Sequence, residues 1–349
     1  MPISFRGLET RETGCTVPNK MRELVIGKND GGQRLDKFLI KALPDLPRSL
    51  LYKAIRTKKI KVNRKRAAPF QILLAGDCLQ LFLREELVER GDAGAAGEEL
   101  ARISPRLYVL YEDENILLLN KPAGVPVHED ESNRTANLLT HLQAYLYQQG
   151  EYDPGAEQSF APALCNRIDR NTAGIVIAAK NAEALRVMNQ KIRERQIDKI
   201  YLAAVHGTPD PREATLFGYL RRDEKTKTVQ VYDRNPPPDA KPIRTRYCTV
   251  AVSGGLSLQK IELLTGRTHQ IRAHMEHIGH PLLGEGKYGH NREDRARGYA
   301  HQALCAFRLR FSFTGEPTAL DYLNGRSFSL PPEEVWFLKE FPGADPGRL

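Results

Sequence analysis

The excess of positive over negative charge in this chain is confined to one stretch, and that segregation divides the molecule. Residues 21–84 carry 15 Lys/Arg against 5 Asp/Glu, a net of +10. The whole 349-residue chain carries +9, so everything else together stands near −1. Directly after the basic stretch, residues 85–104 turn to Gly, Ala and Glu (ERGDAGAAGEEL) with little to bury, the composition of a flexible linker. A chain divided in this way is expected to fold as two modules, and its length suits two domains of about 100–200 residues. The expected organisation is a disordered tail at 1–20, a small basic domain at 21–84, a linker at 85–104 and a large domain at 105–349.

Within the basic domain, Leu35, Phe38, Leu39 and Leu43 recur at helical spacing, and Pro44 and Pro47 end that helix. Ser49 suits the N-cap of a second helix over 50–56. Two short apolar strands follow, at 59–63 and 77–83. The run at 53–66, KAIRTKKIKVNRKR, holds eight basic residues and no acidic one. An arbitrary basic run is usually a solvated surface. Here Ile55, Ile60 and Val62 can anchor it in a core, which makes a rigid basic face suited to phosphates. Its candidate contacts are Arg48, Lys53, Arg56, Lys58, Lys59, Lys61, Arg64 and Arg66. A localised basic patch is the electrostatic footprint of a polyanion partner.

Composition excludes several classes. At 41% hydrophobic and 27% charged the chain is neither disordered throughout nor membrane-embedded. The longest apolar run, at 175–179, is strand-sized, so no membrane partner is expected. The first twenty residues are charged and lack an apolar signal core, which predicts a cytoplasmic protein. The five cysteines are scattered singly, which suits reduced thiols and offers no zinc-site spacing.

The large domain mixes strands and helices. A hairpin is predicted over 107–111 and 116–120, and helices over 138–148 and 182–194. Strands are predicted over 174–179, 201–205, 227–232, 244–252 and 257–264. Runs of strands with helices between some of them predict an α+β fold around a mixed, mostly antiparallel sheet. Two clusters stand out. In CNRIDRNTAGIVIAAK (165–180), Asp169 lies between Arg167 and Arg170, cations that favour its ionised form, and an ionised carboxylate at a strand's start can act as a nucleophile. In general such a pair is a surface turn. In 264–289, four of the nine histidines (His269, His274, His277, His280) gather among Arg267 and Arg272. That spacing matches no metal motif, and the arginines would repel a cation. Gly284, Gly286 and Gly289 form a lone GxGxxG with no strand feeding it, so no dinucleotide site is expected.

NRIDRNTAG at 166–174 resembles the active-site motif of the RluA family of RNA pseudouridine synthases, usually H-R-L-D-x-x-T-S-G. KPAGVPVH (121–128), DKIYLAAVHG (198–207) and TGRTHQIRAHMEHIGHPLLG (265–284) resemble three further family motifs in the same order. The basic domain resembles the alpha-L RNA-binding module, of the ribosomal-protein S-four type, common at this family's N-terminus. Asn166 departs from the usual histidine and Ala173 from the usual serine. Altered local contacts are expected from these, with activity kept.

The resemblance implies the pseudouridine synthase fold and isomerisation of uridine in RNA to pseudouridine, with large-subunit rRNA the expected substrate and tRNA a second possibility. It implies no cofactor and no metal, because the base is only detached, turned and rejoined through carbon 5. Asp169 matches the catalytic aspartate, either attacking the ribose carbon or removing the neighbouring ribose proton. Arg267 matches the arginine that pairs with it, and Tyr201 the tyrosine that stacks on the base. Arg167 and Arg170 are expected to contact RNA. The family is usually monomeric. A non-enzymatic ribosome-assembly factor on the same fold is the alternative, supported only by the two departures. A glycosidase would need a second acid near Asp169, and none is evident.

Overall fold

A computed structural model describes residues 21–87, 93–129, 135–289 and 292–349. The expected tail at 1–20 lies outside the described residues. The chain separates into two compact units. The smaller ends at Gly94 and also takes in the segment Pro154–Phe160, and the larger holds the rest.

The small unit contains β1 (Met21–Val25), α1 (Leu35–Ala42), α2 (Arg48–Arg56), β2 (Ile60–Val62), β3 (Lys65–Arg66) and β4 (Cys78–Phe82). Its four strands form an antiparallel sheet in the order β1-β4-β2-β3. Leu35, Phe38 and Leu39 of α1 and Leu51 and Ile55 of α2 bury against Ile60, Val62, Leu79 and Leu81. Helix α2 starts earlier than the sequence suggests. Pro47 is the N-cap, and its carbonyl accepts the first helical bond from Leu51, so Ser49 falls inside the first turn. Strand β3 has no apolar residue to announce it in the sequence. The β2–β3 hairpin turns on Asn63 and Arg64, both with positive φ, as tight hairpin turns require. Segment Pro154–Phe160 docks on this unit. Ser159 donates to Asp30 through its backbone (3.1 Å) and its hydroxyl (2.5 Å), and Asn29 donates to Glu157 at 2.6 Å.

The stretch at 85–104, expected to be a flexible linker, takes secondary structure among its described residues. It contains a short 3-10 turn at Glu85–Leu87 and helix α3 (Ala93–Arg102). The residues that looked like spacer, AGAAGEELAR, are strong helix formers apart from two glycines.

The large unit continues with β5 (Val109–Glu112), β6 (Ile116–Lys121), α4 (Leu138–Gln148), β7 (Ala163–Leu164), β8 (Ala173–Ala179), α5 (Ala182–Arg193) and β9 (Ile197–His206). Then come β10 (Glu213–Asp223), β11 (Thr228–Tyr232), β12 (Lys241–Ser253), β13 (Leu256–Leu263), α6 (Gln270–His277), α7 (Arg292–Ala296), β14 (Leu304–Phe311) and β15 (Ser327–Ser329). Eleven strands make one sheet with the path β11-β10-β12-β13-β9-β14-β8-β6-β5, while β15 pairs with β14 and β7 with β8. All pairings are antiparallel except β14 with β8. The expected mixed, mostly antiparallel α+β sheet is the one observed.

Alternate residues of β8 serve opposite faces. Ile175 and Ile177 pack with Ala184 and Met188 of α5 on one side. Val176 and Ala178 pack with Leu142 of α4 and Ile271 and Met275 of α6 on the other. Burial on both faces is why this strand reads as a continuous apolar run. Gly174, its second residue, has φ 112°, and a Cβ there would sit 2.4 Å from the backbone N and O of Ala306. Only glycine lets β8 run beside β14 at this distance.

Candidate active site

The loop between β7 and β8 carries Asp169, and backbone contacts fix it on both sides. Asp169 O accepts from Thr172 N–H (3.0 Å), and Arg170 O accepts from Gly124 N–H (2.9 Å). Asn166 Oδ1 accepts the β8 backbone N–H of Ile177 at 2.7 Å, a structural use for the amide that departs from the family histidine. Lys121, fully buried at the end of β6, donates to the carbonyls of Pro122, Val125 and Arg170, each at 2.8 Å. Three carbonyl acceptors suit an ammonium, while burial opposes its charge and brings its pKa down to about 7.

Asp169 is only a quarter exposed, on the wall of a cleft of about 740 Å³ in the large unit. Arg272 Nη1 donates to Asp169 Oδ2 at 2.9 Å. The other edge of the same guanidinium grips Glu285, Nε to Oε2 at 2.8 Å and Nη2 to Oε1 at 2.7 Å. The Tyr288 ring covers its face at 5.3 Å. Burial opposes both charges of the Arg272–Glu285 pair. Their mutual hydrogen bonds outweigh it, holding the Glu285 carboxyl below its usual range and Arg272 firmly protonated. His269 Nε2 stands 3.8 Å from the same Oδ2. Among the described residues no hydrogen bond reaches Oδ1, so one oxygen of this cleft-lining carboxylate is tied and the other has no hydrogen-bond partner.

Tyr201, on β9 between Ile261 of β13 and Ala306 of β14, lines this cleft and is buried, 7% exposed as a residue. Burial, then the Asp169 carboxylate, pushes its phenol pKa up, so the hydroxyl keeps its proton.

Arg267 is not the partner of Asp169. It is exposed, and among the described residues the arginine bonded to Asp169 is Arg272. The turn before α6 explains the exchange. Gln270 Oε1 accepts from Thr265 Oγ1 and from Arg267 N–H, which pins Arg267 in the turn at the cleft rim. His269 then reverses the chain at φ 55°, α6 begins at Gln270, and Arg272 falls on its buried side. The sequence contained this arginine in the same motif, but five residues from the one chosen. It gave no sign of Glu285 or Tyr288 as Arg272's supports.

Arg167 and Arg170 flank Asp169 and are exposed, and Arg170 Nε donates to Gly124 O at 3.2 Å. Arg193, Arg195, Lys199, Arg244 and Arg246 also line the cleft. Scattered over four elements and turns, they form no run that a sequence could show. The four clustered histidines go separate ways: His269 to Tyr288, His274 to Thr245, His277 to Asp233 and His280 to the His206 carbonyl. In the small unit Arg48, Lys53, Arg56, Lys58, Lys59, Arg64 and Arg66 are exposed, and Lys61 is half-buried with its ammonium 5.2 Å from the Phe82 ring centre. Among the described residues no helix is long and apolar enough to cross a membrane.

A mostly antiparallel sheet backs an arginine-paired aspartate in a basic cleft, and comparison with known proteins places the chain among the RNA pseudouridine synthases, a class of isomerases. The family profile described as RNA pseudouridylate synthase matches residues 115–277. Ribosomal large subunit pseudouridine synthase C of Vibrio cholerae is 31% identical over 279 residues, covering 80% of this chain and 84% of that protein. The protein of the same name from Escherichia coli K12 is 30% identical over 311 residues, covering 86% and 91%. The solved structure of human RNA pseudouridylate synthase domain containing 4 shares the fold, with a TM-score of 0.51 and 21% identity over 71% of this chain and 96% of that one. The chain belongs to the RluA family of RNA pseudouridine synthases.

Proposed function

We propose that this enzyme isomerises uridine in large-subunit ribosomal RNA, with Asp169 as the reacting carboxylate. The observation that carries the reading is the asymmetry of that carboxylate. Oδ2 is tied to Arg272, Oδ1 has no hydrogen-bond partner among the described residues, and the carboxylate lines a cleft shared with Tyr201. Oδ1 acts on the ribose, at C1′ as nucleophile or on the C2′ proton as base. The N1–C1′ bond breaks, the uracil turns and C5 joins C1′. C5 gives up its proton and N1 gains one, so nothing is oxidised or lost. Tyr201 supports the base by stacking, and its protonated hydroxyl suits hydrogen bonding to it.

A uridine in a helix cannot reach this depth, so it must flip out, at a cost of a few kcal/mol. Phosphate contacts offset that cost. The cations of the cleft supply some of them. The basic face of the small unit, of the S-four type, supplies the rest through Arg56, Lys58, Lys59, Lys61, Arg64 and Arg66. The ribosomal substrate is drawn from the names of the bacterial relatives. Mapping by carbodiimide modification and primer extension, on transcripts of both rRNAs and on tRNA, tests it. A pseudouridine stop in large-subunit rRNA alone is expected, and stops in tRNA alone would overturn the substrate.

A further inference from the structure

Tyr288 bonds to both His269 and the backbone of β11, and proton accounting at its hydroxyl decides which form of His269 faces Asp169. Tyr288 Oη accepts the backbone N–H of Val229 at 3.0 Å and lies 2.6 Å from His269 Nδ1. A phenol carries one proton, and among the described residues no other acceptor receives it. With a lone pair taken by Val229 and Nδ1 at 2.6 Å, the half-buried hydroxyl directs its one proton at Nδ1. Nδ1 must then present a lone pair, and a neutral imidazole carries its own proton on Nε2, the nitrogen facing Asp169 Oδ2 at 3.8 Å.

We propose that Tyr288 and His269 are positioning residues for the isomerisation: Tyr288 fixes His269 as the neutral Nε2–H tautomer, which turns an uncharged N–H toward Oδ2 of Asp169 beside the Arg272 hydrogen bond and leaves Oδ1 to the ribose. The inference deepens the proposed function and rests on Asp169 being the reacting carboxylate.

Charge explains why the neutral form matters. Arg272 already places one cation on Oδ2. An imidazolium would add a second and make the carboxylate a weaker nucleophile and base. The groups facing the ring are Asp169 from the β7–β8 loop, Arg272 from α6, and Glu285, Lys287 and Tyr288 from the segment after α6. Burial comes first among the influences on the ring and disfavours charge. Asp169 and Glu285 favour it, and Arg272 and Lys287 oppose it, leaving the pKa at about 4. The backbone at His269 is left-handed, φ 55°, with no capping bond from its side chain. A non-glycine residue holds that conformation where surrounding contacts fix it.

The test is nitrogen-15 NMR of the full chain labelled in histidine, with His269→Gln assigning the signals. At pH 7 the wild type should show His269 Nε2 protonated and Nδ1 as a bare acceptor. Tyr288→Phe keeps the ring over Arg272 and removes only the hydroxyl. It should mix the two tautomers and let His269 take up a proton at higher pH. It should also lower kcat roughly tenfold with KM nearly unchanged, the scale expected of a second-layer hydrogen bond, and move the acidic limb of the kcat profile upward. A purely structural tyrosine would leave tautomer and limb in place. A proton on Nδ1 or an imidazolium in the wild type at pH 7 would overturn the proposal, as would Tyr288→Phe with unchanged tautomer and kcat. The NMR readout needs no turnover. An inactive wild type with the expected tautomer therefore counts against the assigned reaction, and an active one with the other tautomer counts against this proposal.

Discussion

Arg272 lies between two carboxylates and uses three nitrogens on them, a task for a planar fork. A lysine has one point charge and cannot hold Glu285 and Asp169 together. Arg272→Lys should therefore lower the single-turnover rate on rRNA by about 10²–10³-fold, the scale of losing a preorganised charge interaction. Arg267→Lys, at the exposed rim, should stay within about twofold, since it keeps the charge a phosphate contact needs. Equal losses would mean the pairing is misassigned. Asp169 itself was legible because its loop keeps the arginine, the aspartate, the threonine and the glycine of the family motif, with departures at Asn166 and Ala173. Its partner was misread because TGRTHQIR offers two arginines, and the left-handed residue that turns one inward, His269, has no sequence signature. Lys121 makes a separate prediction. Its folded pKa of about 7 lies below the ordinary 10.5, so between those values the unfolded chain holds a proton that the native protein has released. Stability should rise with pH over that window, and the cost is complete below it. In urea titrations from pH 7 to 10 the wild type should gain stability relative to Lys121→Met, and parallel profiles would contradict a buried, depressed lysine.

At the level of elements, the β8–β14 contact is the tightest constraint on the site, because the Asp169 loop feeds directly into it. Gly174→Ala would put a methyl 2.4 Å from the Ala306 backbone and require φ 112° of an alanine. A loss of about 2–4 kcal/mol is expected in urea unfolding, from overpacking and backbone strain together. A loss under about 0.5 kcal/mol, within the range of surface substitutions, would show that the two strands can part. The same strand was easy to read, since burial on both faces leaves an unbroken apolar run. β10 was not, because most of its residues are exposed or half-buried and only Gly218 and Leu220 are buried. α6 was hidden for the opposite reason. It buries Gln270, Arg272 and His274, each with a polar partner, so its inward face looks like a surface. Segment Pro154–Phe160 could not be assigned to the small unit from sequence, since its hydrogen bonds to Asn29, Asp30 and Gln33 span more than a hundred residues.

For the whole molecule, charge segregation carries the argument. Residues 21–84 hold the net excess, and the structure presents most of it on α2 and the β2–β3 hairpin. Reversing Lys58, Lys59 and Lys61 to Glu should weaken RNA binding and flatten the dependence of log K on log salt by about 2–3, near 0.7–0.9 for each phosphate left without its cation. The rate at saturating RNA should be unchanged, since none of the three lies in the cleft. An unchanged slope would place the RNA elsewhere. This face was readable because its charges are consecutive, whereas the cleft's cations come together only when β9, β12 and the turn before α6 meet.

The measurement closest to the central claim is tritium release from large-subunit rRNA labelled at uridine C5, run with wild type and Asp169→Asn side by side. Each pseudouridine formed frees one tritium. Release by the wild type is expected, and none by Asp169→Asn at matched RNA occupancy. Release by Asp169→Asn at the wild-type rate would contradict the claim.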